Sequence, residues 1–257
     1  AARRKPAVID THCHLDHCEP PDDELVERAR AAGLTRLAAV GIDGPSIERA
    51  LTSAHAHEEV YAIVGRHPNS AAGFGPAELD EIERAAVDPK VRAIGETGLD
   101  YYRDSAPRAD QRDAFEAQLE LAVRAGLPVA IHTRAAEEDT FALLGEHAAG
   151  LPGVILHCFS APARLDECVE HGYLCSFAGN VTYPKAADLQ RAATQLPAEL
   201  LLVETDAPWL SPQPLRGKPN EPANVVHTAH QVAGLRGLSY EELERTVEAN
   251  AARVFGW

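Results

Sequence analysis

Short apolar runs alternate along the chain with longer stretches in which apolar residues recur every three or four positions. The short runs are rich in Val, Ile, Leu and Ala and read as buried strands over 7–15, 36–42, 60–67, 91–100, 128–133, 153–159, 173–178 and 200–206. Helical periodicity falls between them, near 22–33, 44–57, 76–87, 107–125, 136–149, 162–171 and 184–196, and again near 222–236 and 239–254. Proline at the first helical turn suits starts at Pro45, Pro76, Pro107 and Pro162, and glycine suits stops at Gly33, Gly126, Gly150 and Gly172. Eight strand–helix alternations without a linker or a shift in composition predict an α/β fold. They suit one (β/α)8 TIM-type barrel over 1–257, with an extra C-terminal helix, as a single domain. An open doubly wound sheet is the competing architecture, and the missing Gly-rich fingerprint after the first strand disfavours it.

Composition narrows the function classes. With 45% hydrophobic and 25% charged residues, the 257-residue chain can bury a large core. A net charge of -15 argues against a broad basic face for coating nucleic acid. It leaves room for a substrate drawn into one metal-lined pocket. No run approaches the roughly 18 apolar residues of a membrane span, and the start lacks the apolar core of a signal peptide, so a soluble cytoplasmic protein is expected, with no membrane and no obligate protein partner. The five cysteines, an odd number without regular pairing, suggest reduced thiols. Cys13 and Cys158 each adjoin a histidine, and strand alternation turns them to the opposite face as small buried residues.

The chemistry-bearing residues recur at strand ends. His12 and His14 are spaced by one residue at the end of the first strand and so face the same way. Two adjacent imidazoles gain little from packing, whereas a divalent cation binds both in neutral form; on this motif alone, solvated loop histidines remain an alternative. Glu96 ends the fourth strand, His132 the fifth, His157 the sixth and Asp206 the eighth. In a barrel all carboxyl ends open onto one face, so these six side chains are expected to converge. Four imidazoles and two carboxylates exceed the needs of one tetrahedral zinc and suit two divalent metal ions, with Glu96 or Asp206 bridging them or orienting a water. Imidazole favours Zn, Mn or Co, while a phosphate substrate would help Mg, so the metal is left open.

The motifs Asp10-Thr11-His12-Cys13-His14-Leu15-Asp16, Gly95-Glu96-Thr97-Gly98-Leu99-Asp100-Tyr101-Tyr102, Ile131-His132, His157-Cys158-Phe159-Ser160, Glu204-Thr205-Asp206-Ala207-Pro208-Trp209-Leu210 and Arg216-Gly217-Lys218-Pro219-Asn220-Glu221-Pro222 occur in order over nearly the whole chain. In these the chain resembles the TatD family of metal-dependent deoxyribonucleases, a branch of the amidohydrolase-like barrels. The resemblance implies hydrolysis of phosphodiester bonds in DNA, typically from the 3′ end, with divalent cations. It further implies that His12, His14 and Asp206 hold one metal, that His132 and His157 hold the other, that Glu96 bridges them, and that Asp206 partners the attacking water.

Two positions depart from the family pattern. The family often has a second histidine where this chain has Asn69, and a histidine where it has Leu215; both bear on the substrate rim. Around that rim, His67 is read as a phosphate contact or a partner of the ligands. Arg134 and Arg216 are read as phosphate anchors or as ordinary loop charges, Tyr101 and Tyr102 as base-stacking or packing residues, and Glu204 as a ligand for a third cation. Two competing functions stay in view. One is an amidohydrolase-like enzyme acting on a small ester, lactone or amide, disfavoured because such relatives often bridge metals with a carboxylated lysine where this chain has Glu96. The other is a non-catalytic metal- or nucleic-acid-binding protein, disfavoured by the acidic charge.

Overall fold

The computed structural model describes residues 8–257, so Ala7 of the first predicted strand lies outside the described residues. Eight strands form one sheet in sequence order: β1 (Val8–Cys13), β2 (Leu34–Gly41), β3 (Val60–Val64), β4 (Val91–Asp100), β5 (Val129–Arg134), β6 (Val154–Leu156), β7 (Leu174–Phe177) and β8 (Leu201–Val203). The helices between them are α1 (Asp22–Ala32), α2 (Gly44–Ala56), α3 (Pro76–Ala86), α4 (Arg108–Ala125), α5 (Glu137–His147), α6 (Leu165–His171) and α7 (Ala187–Gln195). Two more, α8 (Val225–Arg236) and α9 (Tyr240–Phe255), follow β8, so the fold is the (β/α)8 barrel with the extra C-terminal helix. None of the described helices is long and apolar enough to cross a membrane.

Local chemistry sets several element ends where the pattern put them, although the start expected at Pro162 is a short 3-10 turn and α6 begins at Leu165. Helix α2 starts on a capping box in which Asp43 accepts from the Ser46 amide, with Pro45 in the first turn, and α9 starts on the equivalent Ser239–Glu242 box. Gly33, Gly126 and Gly172 end α1, α4 and α6 in the left-handed conformation. Gly150 lies three residues beyond the end of α5 instead. Strands β6 and β8 are each only three residues long, shorter than their apolar runs, because the chain turns away before His157 and before Asp206.

The chain divides into two compact units. One joins the described residues up to Ala38 with Pro162–Trp257; the other is Ala39–Ala161. In the first, Ile9, Leu37, Phe177, Leu202 and Val203 are fully buried. In the second, Ile63, Ile94, Phe115, Leu119 and Ile131 are fully buried. Each such side chain contributes about 1.5–3 kcal/mol of transfer free energy.

A buried polar clamp fixes the start of β8 within the first unit. The Asn250 amide of α9 donates to the Ala198 carbonyl at 2.7 Å and to the Leu201 carbonyl at 2.9 Å. Truncation would strand both acceptors, at about 1–3 kcal/mol for a buried group left unsatisfied. We expect Asn250→Ala to lower unfolding free energy by about 2–3 kcal/mol in urea denaturation; a change below about 0.5 kcal/mol would show that water replaces the clamp at no cost.

Candidate metal centre

In the first unit, β1 carries His12 and delivers His14 one residue past its end. The two imidazoles face each other with Nε2 atoms 3.2 Å apart, and His14 Nε2 lies 3.6 Å from Asp206 Oδ1. Both rings are almost wholly buried. Backbone bonds set this geometry: the Asp206 amide donates to the His12 carbonyl at 2.9 Å, and the His14 amide donates to the Ala207 carbonyl at 2.8 Å. Asp206 sits at φ 54°, in the left-handed region that Asp tolerates better than most side chains. That unusual turn brings its carboxylate back toward β1.

Asp10 holds these pieces in register. Its Oδ1 accepts from the amides of His12 (3.3 Å) and Thr205 (2.9 Å), and its Oδ2 accepts from the Thr205 hydroxyl at 2.5 Å. The same hydroxyl accepts from the Ala207 amide at 3.2 Å. Complete burial pushes the Asp10 carboxyl up to about 8, against the pull of the bonds from Thr205 and His12.

The second unit builds another cluster around Glu96. One carboxylate oxygen, Oε1, lies 2.8 Å from His157 Nε2, 2.9 Å from His132 Nδ1 and 3.3 Å from His67 Nε2. A bulge aims Glu96: β4 pairs Ile94 with Val129 but Thr97 with Ile131, so β4 carries one residue more than β5 across this step. Glycines bracket the bulge because nothing larger fits. A Cβ on Gly95 (φ 147°) would come within 2.5 Å of the Ala130 carbonyl oxygen, and one on Gly98 (φ 135°) within 2.0 Å of that of His132. Cys158, beside His157, is at φ 42°, a second strained exit from a strand into a candidate ligand.

His132 uses both ring nitrogens. Nδ1 faces Glu96, and Nε2 faces Asp100 Oδ2 at 3.1 Å. Burial works to lower the His132 pKa, but the bonds to Asp100 and Glu96 carry it above the ordinary imidazole value. Burial works to raise Asp100, yet His132 and the amides of Arg103 and Tyr102 hold it well below the usual carboxylate range. His67 differs, because its Nδ1 accepts from the Asn69 amide at 3.0 Å. In the neutral ring the proton is then on Nε2, and His67 faces Glu96 as a donor.

Each cluster suits a divalent cation by its donor set. His12, His14 and Asp206 offer two imidazoles and a carboxylate in one group; His67, Glu96 and His132 form a second, in which His67, its Nδ1 taken by the Asn69 amide, serves as a donor to Glu96 rather than as a ligand. His157 joins the second group through Glu96. The other candidate residues find protein partners. Tyr101 donates to Asp139 at 2.6 Å with Arg108 over its ring, which is the packing role. The Arg134 guanidinium lies 4.0 Å from the ring centre of Tyr102, which is 68% exposed. Arg216 lies over Tyr183 at 3.9 Å, and Glu204 is buried just past β8. Sequence reading gave no role to Asp10, Asp100 or Trp209. All three stand within the motifs above, two residues before His12, four after Glu96 and three after Asp206, and that proximity is the signal the sequence offers.

Comparison with known proteins agrees with this architecture. The family model described as TatD related DNase matches residues 9–256. An uncharacterized metal-dependent hydrolase of Bacillus subtilis, YabD, is 38% identical over 96% of this chain and 98% of its own length. The 3'-5' ssDNA/RNA exonuclease TatD of Klebsiella pneumoniae is 36% identical over 91% of each chain. The crystal structure of YjjV, a TatD homolog from Escherichia coli K12, superposes with a TM-score of 0.91 at 30% identity, covering 97% of this chain and 98% of that one.

Asp100 accepts from the His132 nitrogen opposite the one facing Glu96, the arrangement by which a carboxylate orients a histidine toward a cation. We expect Asp100→Ala to weaken zinc binding by about 10- to 100-fold in isothermal titration calorimetry. Unchanged affinity would show that Asp100 serves only the loop.

Proposed function

The chain belongs to the TatD family of metal-dependent hydrolases, and we propose that it hydrolyses phosphodiester bonds of single-stranded DNA from the 3′ end. The observation that carries this reading is the pair of imidazole–carboxylate clusters, each placed at the carboxyl ends of parallel strands. The nucleic-acid substrate rests on relatives such as the Klebsiella exonuclease. Because the family match runs through both units without a break, we read 1–257 as one hydrolase domain. The five free cysteines fit a reducing, cytoplasmic setting.

In this reading His12, His14 and Asp206 hold one divalent cation, and Glu96, His132 and His157 hold a second; Zn, Mn and Mg each suit part of the donor set. Such ions, when bound, supply Lewis acidity toward phosphate oxygens and lower the pKa of water. The chain's own residues do the rest. Asp206 accepts the proton of the attacking water, and Glu96 fixes His132 and His157 in place. His67 donates to Glu96 and so limits the positions that carboxylate can take. Arg216 and Arg134, each lying flat on a tyrosine, offer guanidinium edges to phosphates. Glu204 stands as a ligand for a third cation.

The test is incubation of metal-loaded protein with 3′-labelled single-stranded DNA beside a panel of carboxylic esters, lactones and amides. We expect release of mononucleotides, reduced at least about 100-fold in Glu96→Ala and in Asp206→Ala and abolished by a chelator. Turnover of an ester or amide without cleavage of DNA would sink the nuclease reading in favour of the amidohydrolase-like one. Activity should also fall steeply below about pH 6, because protonated imidazole cannot ligate metal; a flat profile there would argue against histidine ligation.

A further inference from the structure

Trp209 is the one large aromatic side chain that stands in contact with a candidate cation ligand while remaining 46% exposed, among the described residues. Its ring centre lies 5.1 Å from that of His14, edge to face, and 5.4 Å from that of His17, whose side chain is itself 38% exposed. It follows Asp206 by three residues, and its amide donates to the Asp206 carbonyl at 2.9 Å. The loop around it is held rather than loose: the buried Asn220 side chain donates to the Trp209 carbonyl at 2.7 Å and to the Thr205 carbonyl at 3.0 Å. An exposed indole is thus fixed one ring away from His12, His14 and Asp206, all within the same unit.

An exposed indole costs free energy in water and is worth keeping where something flat covers it. We infer that Trp209, with His17 at its edge, is a nucleobase subsite that stacks on one unpaired base of the strand whose phosphate is held beside His14. This inference rests on the nuclease reading above and deepens it. Charge favours this occupant over a general anion contact. A chain of net charge -15 gains little from long-range attraction of a polyanion. Stacking on a base face is insensitive to that charge and holds any of the four bases. The exposed Tyr102 is less suited, since Arg134 already lies across its ring. Bases inside a duplex are stacked on both faces and only the terminal pair offers one, so the subsite favours a single strand.

The experiment compares wild type, Trp209→Ala and Trp209→Phe on an oligonucleotide and on versions with one abasic site at each of the last four nucleotides. In wild type, one abasic position is expected to raise KM about 10-fold. Trp209→Ala should raise KM for the intact strand by a similar factor and shrink the abasic penalty at that position to less than about 2-fold, while Trp209→Phe restores most of both. As a readout independent of turnover, a Trp257→Phe background leaves Trp209 as the sole tryptophan, and its fluorescence should be quenched by single-stranded but not duplex DNA. If wild type cleaves DNA and Trp209→Ala keeps both the intact-strand KM and the abasic penalty, the subsite is overturned and the nuclease reading survives. If wild type neither cleaves nor binds DNA but hydrolyses an ester, both fall together.

Discussion

A single carboxylate oxygen facing three imidazole nitrogens is the constraint on which the second cluster turns. Glu96 Oε1 has His157, His132 and His67 within 2.8–3.3 Å, in a setting almost closed to water. Protons alone satisfy this crowd poorly. Two imidazolium charges about 4 Å apart repel by about 4 kcal/mol at an effective dielectric near 20. Glu96 and Asp100 can balance two such charges, and a third imidazolium would stand uncompensated. A divalent cation, if bound there, would remove the conflict by accepting neutral imidazole lone pairs and supplying positive charge beside Glu96. The pair at His12 and His14, with facing Nε2 atoms 3.2 Å apart, poses the same problem in smaller form, with Asp206 as its carboxylate.

Holding such groups together demands backbone conformations that ordinary sequence would avoid. The β4 bulge, the glycines at 95 and 98 and the left-handed Cys158 and Asp206 all occur where a strand meets a candidate ligand. Each costs stability locally, by roughly 1–3 kcal/mol for a strained non-glycine residue. They persist because the surroundings over-determine them. The Asp10–Thr205 network does this for the first cluster, and the Asp100 contacts with His132 and the amides after it do so for the second. Orientation of the ligands is thus a property of a second carboxylate in each unit.

The element order was legible because apolar runs and helical periodicity are set by burial, and burial dominates the fold. β4 matches its apolar run at both ends, 91–100. Where strands fell short, as at β6 and β8, the cause was a turn into a ligand that hydrophobicity does not encode. The ligand types at strand ends were legible for a similar reason: histidine and carboxylate are rare there unless something recruits them. Asp10 and Asp100 escaped because their roles depend on hydrogen bonds to backbone and to a ring nitrogen, which no periodicity reports. The rim was least legible of all. Arg134 sits two residues beyond His132 on the same strand, yet it is drawn onto Tyr102, an aromatic contact that strand parity gives no means to foresee.

The nuclease reading proposed above asks an acidic chain to handle a polyanion. Arg134 and Arg216 lie over tyrosine faces and so keep only their guanidinium edges for a phosphate, and Arg28 is engaged with Glu24 and Glu221. In that reading capture is short-range, through the candidate cation clusters, the guanidinium edges and exposed aromatic surface. Phosphate binding through cations is blind to sequence and to strand pairing, so discrimination has to come from the loops. The two departures from the family pattern lie there. Asn69 backs His67 through its amide and brings its side chain to 3.5 Å from Asp100, while Leu215 ends a short helical turn immediately before Arg216. In the proposed reading, substrate choice is set in these loops and the chemistry at the strand ends.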